Sequence, residues 1–141
     1  MIVTRGPFRI SFVGGGSDME TFYSRHKGAV LSTSINKYMY ISTHKYFFSD
    51  QIRVKYSRTE TVRKLKELKH PLLREAMLKT GVQGGIEISS IADIPAGTGM
   101  GSSSSFTVGT LHNLYTVMRQ RVTHETLARE ACDIEIEKLG E

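Results

Sequence analysis

Glycine at positions 97, 99 and 101, followed by serine at every position from 102 to 105, constrains this chain more than any other feature. Alternate glycines bring backbone amides close to a ligand without a Cβ in the way. The run Ile86-Glu87-Ile88-Ser89-Ser90-Ile91 before the loop reads as a strand. Phe106, Leu111, Leu114 and Tyr115 after it mark a helix to about residue 118. A glycine loop opening a helix presents N–H groups and the positive end of the helix dipole, for which phosphate oxygens are the natural guest. The serine hydroxyls suit phosphate, or Mg²⁺ with its preference for hard oxygen ligands.

Other phosphate loops fit poorly. A P-loop ends in Gly-Lys-Ser/Thr, and no lysine occurs between residues 93 and 118. A dinucleotide fingerprint needs a second strand ending in an acid about 20 residues on. The sequence Val117-Met118-Arg119-Gln120-Arg121 supplies neither. A Gly/Ser-rich loop also serves tight turns and close helix packing, so the loop alone does not decide between structure and anion binding.

The chain of 141 residues, 39% hydrophobic and 23% charged, is long enough for one domain with a real core. Its composition excludes disordered, collagen-like and coiled-coil classes. No apolar run approaches the roughly 20 residues of a membrane span. The N-terminus lacks the pattern of a signal peptide. The single cysteine, Cys132, fits a reducing compartment, and the expectation is a cytoplasmic protein. The net charge of +5 is uneven: residues 53–79 hold nine Lys/Arg against three Glu, and residues 125–141 hold six acids against two bases. A basic middle steers anions or is simply a solvated surface.

Elsewhere, alternation predicts strands at 2–3 and 8–13, ended by Gly14-Gly15-Gly16. Ser17 and Asp18 are good caps for a helix to about Lys27, with Gly28 just beyond its end. Strands are expected at 29–35, 38–48 and 52–56, and helices at 61–68, 72–80 and 124–139. The break between the first two helices falls at His70-Pro71. The five histidines show no metal-ligand spacing.

Two stretches together resemble the GHMP kinases, the small-molecule kinases that include galactokinase, homoserine kinase and mevalonate kinase. The loop Pro95-Ala96-Gly97-Thr98-Gly99-Met100-Gly101-Ser102-Ser103-Ser104-Ser105 is similar to the family's ATP-binding signature. The opening Arg5-Gly6-Pro7-Phe8-Arg9-Ile10-Ser11-Phe12-Val13-Gly14-Gly15-Gly16-Ser17-Asp18 is similar to its substrate-side motif. The helix end from Glu135 to Gly140 is a third, weaker likeness. Three glycines at 14–16, with the run from Gly28 to Tyr38, look most like bacterial D-glycero-D-manno-heptose 7-phosphate kinases.

This resemblance implies an α+β fold of the ribosomal-protein-S5 domain 2-like type, a mixed sheet packed against helices, with residues 1–141 as an N-terminal ATP-binding domain. It implies ATP and Mg²⁺ as cofactors, a sugar or sugar phosphate as acceptor, and no nucleic-acid or membrane partner. Pro95, Gly97, Thr98, Gly99, Met100, Gly101, Ser102, Ser103 and Ser104 would surround the ATP phosphates. Ser103 and Glu135 would ligate the metal. Gly15, Gly16, Ser17 and Asp18 would meet the substrate, with Asp18 on a sugar hydroxyl. Arg9 would serve catalysis by favouring the charged form of a catalytic aspartate. Each residue also has a plainer reading: Asp18 as a helix cap, Arg9 as a solvent-facing strand residue, Glu135 as one of several surface acids on its helix.

The family's catalytic aspartate follows the helix ending at Gly140, and no acid within these residues matches it. The expectation is an N-terminal portion of a kinase, inactive by itself, with exposed apolar surface that favours a homodimer. Two other readings compete. One is a non-enzymatic nucleic-acid-binding module of the same fold type, opposed by the lack of aromatic residues from 57 to 80. The other is a nucleotide-binding pseudokinase.

Overall fold

The structure is a computed structural model that describes residues 1–140. Strand β1 (Ile2–Val13) and strand β2 (Leu31–Lys45) form a long antiparallel hairpin. The short helix α1 (Glu20–Tyr23) lies in the connection between them. β3 (Ile52–Lys55) and β4 (Thr59–Val62) follow, then a 3₁₀ turn at Leu65–Glu67 and helix α2 (Pro71–Thr80). β5 (Ile86–Ala92), α3 (Ser102–Val117) and α4 (His124–Cys132) complete the chain, and α4 runs on into a π-helical turn at Asp133–Lys138.

The sheet order is β1-β2-β5-β3-β4. β5 runs antiparallel to β2 and parallel to β3, so the sheet is mixed, as the resemblance implied. One face carries Phe8, Ile41, Ile52, Val54 and Ile88, which are buried together with α2, α3 and α4 in a single core. The other face holds a buried carboxylate, Glu87, ringed by Lys55 (2.8 Å), His44 (3.2 Å) and Arg53 (3.6 Å).

Four expectations need correction. The helix expected over 18–27 is a single turn at Glu20–Tyr23, capped by neither Ser17 nor Asp18. That turn buries no residue, and a helix without tertiary packing does not propagate. Gly28 does not adopt the left-handed C′ conformation; a Cβ there would lie 2.5 Å from the Ser17 carbonyl, so close approach is what requires glycine. The strands expected at 29–35 and 38–48 are one continuous strand. Its register against β1 shifts between Pro7 and Arg9, which absorbs Asn36 and Lys37 without ending the ladder. The segment expected as a helix over 61–68 begins as β4. Thr59-Glu60-Thr61-Val62 alternates with period two, and its β-branched residues pair in register with β3.

Candidate nucleotide and metal site

The loop between β5 and α3 is shaped by glycine at three points. Gly97, Gly99 and Gly101 have φ of +82°, +71° and +73°, a region that residues with a Cβ rarely enter. Thr98 Oγ1 donates to the Pro95 carbonyl (3.2 Å) and closes the first bend. Gly101 occupies the N-cap of α3, where no side chain caps the helix, so the positive end of its dipole is open to an anion.

Arg9 reaches this loop from the first strand, at the register shift. Its backbone N–H donates to Met100 O (3.0 Å), and Nη1 donates to Ser11 Oγ (3.1 Å) and Gly99 O (3.4 Å). A Cβ on Gly101 would lie 3.0 Å from Arg9 Cγ, so the arginine stem packs directly on the helix entry. Arg9 is therefore part of the loop's wall and not a solvent-facing strand residue.

Helical rotation sends the four serines in different directions. Ser102 and Ser103 line a cleft. Ser104 Oγ donates to Glu135 Oε2 (3.3 Å), and Ser105 Oγ donates to the Pro7 carbonyl (2.9 Å). Glu135 sits in the π-helical turn, and its Oε1 is buried with no hydrogen-bond partner among the described residues. An orphaned carboxylate oxygen beside a phosphate-type loop fits a cation. No group of three His, Cys, Asp or Glu that could hold a metal occurs among the described residues. An ion here would draw its remaining ligands from phosphate and water, the usual habit of Mg²⁺.

The cleft beside the loop has a volume of about 760 Å³. Met39, Leu72, Ile94 and Phe106 make it largely apolar, with Tyr56, Ser57, His70 and Asp93 as its polar rim and Pro95 at the loop end. His70 stacks on Phe106 (4.8 Å between ring centres, 21°) and meets Tyr56 edge-on (4.6 Å, 88°). Glu60 braces this wall: it accepts from Tyr56 Oη (2.6 Å) and from the Lys69 N–H (2.9 Å). Burial pushes the Glu60 carboxyl up, but these two donors and the Lys69 charge outweigh it and hold it below its ordinary range. Burial pushes the His70 imidazole down, opposed in part by Glu60. None of these rim residues was legible as a site. They come from three separate segments, and the sole local sign was the His-Pro pair opening α2.

The substrate-side residues lie elsewhere. Asp18 is exposed and borders a depression of about 320 Å³ with Ser17, Tyr23, Gly28, Ala29 and Val30. Ser17 Oγ lies 2.8 Å from Gly14 O and 2.9 Å from Ala29 O, and accepts from the Ala29 N–H at 3.1 Å, clasping the two ends of the connection. Of the three glycines, Gly14 is the constrained one: φ is +82°, and a Cβ would sit 2.0 Å from the Ala29 carbonyl. Gly16 has open space around it, and Gly15 would meet nothing closer than Ser11 Cβ at 3.5 Å.

The sequence profile of the GHMP kinases N terminal domain matches residues 61–141, which hold the glycine loop and Glu135. The chain belongs to the GHMP kinase family. This GHMP kinase chain is 25% identical to the D-glycero-alpha-D-manno-heptose 7-phosphate kinase of Campylobacter jejuni, over 99% of its own length and 44% of that protein. Its fold matches a crystal structure of a D-glycero-D-manno-heptose 1-phosphate kinase from Bacteriodes thetaiotaomicron with a TM-score of 0.84 and 22% identity, covering 99% of this chain and 49% of that one. It matches the Methanococcus jannaschii mevalonate kinase with a TM-score of 0.79 and 15% identity, covering 99% and 47%. The chain thus spans less than half the length of these relatives. No helix among the described residues is long and apolar enough to cross a membrane.

Proposed function

We propose that these residues form the ATP- and metal-binding half of a sugar-phosphate kinase whose acceptor is a heptose phosphate. The observation that carries the ATP part is the convergence of the positive-φ glycine loop, the uncapped start of α3, Arg9 and the Glu135 carboxylate on one spot. The heptose part rests on the likeness to the Campylobacter jejuni enzyme.

Backbone amides from Gly97 to Ser102 wrap the phosphates, and the apolar cleft beside Pro95 takes the nucleoside. Ser103, Ser104 and Glu135 would hold Mg²⁺, which would supply neutralisation of charge on the terminal phosphates. Arg9 adds positive charge at the loop and fixes its position. Asp18 holds an acceptor hydroxyl. In the transfer the acceptor oxygen bonds to the γ-phosphorus, the bond from that phosphorus to the bridging oxygen breaks, and ADP leaves. The hydroxyl proton would go to a carboxylate base outside these residues, as the resemblance to the family implies. These 141 residues supply the nucleotide and metal side of the reaction.

Calorimetric titration of the 141-residue chain with Mg-ATP, beside an ADP-release assay with D-glycero-D-manno-heptose 7-phosphate, tests this. Saturable ATP binding without turnover is expected. A longer protein that carries the segment after Gly140 should release ADP with the heptose phosphate and not with mevalonate. Absence of ATP binding would remove the reading. Ordinary turnover by the 141 residues would remove the assignment of the base.

A further inference from the structure

His70 is fixed on three sides. Its Nδ1 accepts the Leu73 N–H (3.4 Å) and so caps α2, one ring face stacks on Phe106, and Tyr56 meets it edge-on. An Nδ1 that accepts leaves the proton of the neutral ring on Nε2. Nε2 makes no hydrogen bond among the described residues, and the ring lines the cleft beside the glycine loop.

We infer that His70 holds the nucleobase of the bound nucleotide, as a neutral imidazole donating from Nε2 to a ring nitrogen or carbonyl of the base. This rests on the reading of the cleft as a nucleoside site. Protonation would place an N–H on Nδ1 against the Leu73 N–H, donor against donor, and a cation at the positive end of α2. The cap and the ring orientation would be lost together, so nucleobase recognition falls away in acid. The groups that face the imidazole are few. Tyr56 and Glu60 lie on the β3–β4 hairpin, Asp93 on the cleft rim, and Arg74 on α2 with its side chain turned to the Leu68 carbonyl. α3 contributes the apolar Phe106. Glu60 favours the cation, but it is tied up by Tyr56 and Lys69, and burial of the ring dominates.

The test compares the 141-residue chain with His70→Asn, whose side-chain oxygen keeps the cap and does not titrate, but whose amide is too short to donate where Nε2 does. Binding of Mg-ATP and of Mg-tripolyphosphate is measured from about pH 7.5 down to about pH 4.5, the acid end lying well below the ordinary histidine range because burial lowers this ring. Protonation of the phosphates affects both proteins equally and cancels in the comparison. For the wild type, ATP affinity should fall as the ring protonates, by at most about tenfold per pH unit, and level off where only the phosphate contacts remain. Tripolyphosphate affinity should follow the same course in both proteins, and His70→Asn should bind ATP more weakly than the wild type at about pH 7.5, with no further loss in acid beyond that of tripolyphosphate. An equal acid loss in His70→Asn, or none in the wild type, overturns the role of His70. Tripolyphosphate binding as tight as ATP binding overturns the nucleobase site while the phosphate loop stands. No binding of either ligand overturns both.

Discussion

Arg9 and Met100, 91 positions apart in sequence, are joined by a backbone hydrogen bond of 3.0 Å from the Arg9 N–H to the Met100 carbonyl. The bond ties the glycine loop to the first strand at the point where the β1–β2 register shifts, and Nη1 extends the link to Gly99. The loop is held open by a neighbouring strand as well as by its glycines.

Two substitutions separate these contributions. Gly101→Ala puts a Cβ 3.0 Å from Arg9 Cγ at a φ of +73° and should cost about 1–2 kcal/mol of stability, with weaker ATP binding. Arg9→Ala keeps the backbone bond and removes the Nη1 contacts. It should leave the melting temperature nearly unchanged while lowering ATP affinity by roughly tenfold, the worth of a charge-assisted contact. Thermal melts and calorimetry on both variants check this; equal effects on both readouts would contradict it.

Glu135 should matter only with divalent metal present. In Glu135→Gln the Ser104 contact survives through the amide oxygen, but the charge is lost. Mg²⁺ should then stop strengthening ATP binding, while affinity measured in EDTA stays as in the wild type. A titration with and without Mg²⁺ reads this directly, and persistence of the Mg²⁺ effect would exclude Glu135 as a ligand.

Acid should destabilise the fold through two carboxylates. Lys55 chiefly, with His44, holds the Glu87 carboxyl low against the opposing effect of burial; Tyr56 and Lys69 hold Glu60 low. A lowered folded pKa gives stability that is present above the unfolded value of about 4.5 and lost as pH falls through the folded value. Melting temperature should therefore drop below about pH 4.5. Glu87→Gln should flatten that drop and cost about 1 kcal/mol at neutral pH, because Lys55, Arg53 and His44 lose the charge they share while the amide oxygen still accepts. An unchanged acid limb would contradict this.

At the alkaline end the sign reverses. Burial, and then the hydrogen bond to Glu130 (2.8 Å), pushes the Tyr115 hydroxyl up to about 12. A raised pKa gives stability that is complete below the unfolded value of 10 and is lost as pH rises through the folded one. Tyr115→Phe should cost about 1 kcal/mol at neutral pH and lessen the stability loss between pH 10 and 12, leaving the part due to Tyr56, which its hydrogen bond to Glu60 also raises. Urea unfolding at several pH values measures both effects.

The sequence by itself determined the unit β5–loop–α3 and marked its loop as a candidate anion site. Alternating residues, spaced glycines and a helical apolar stripe are local patterns whose physics acts within about a dozen neighbours. It determined most strands for the same reason, and the two family motifs carried the kinase reading. Only the tertiary structure decided which distant groups meet the loop. Arg9 arrives through a register shift that no local pattern encodes. Ser104 bonds Glu135 because the rotation of α3 and the π-helical turn set their facing. The cleft wall of Tyr56, His70 and Phe106 draws on three segments whose contacts exist only after the hairpin and α2 have packed. α1 shrank and β4 formed for one physical reason. Short segments near the balance of helix and strand follow whichever neighbour buries them, and α1 has none while β4 has β3.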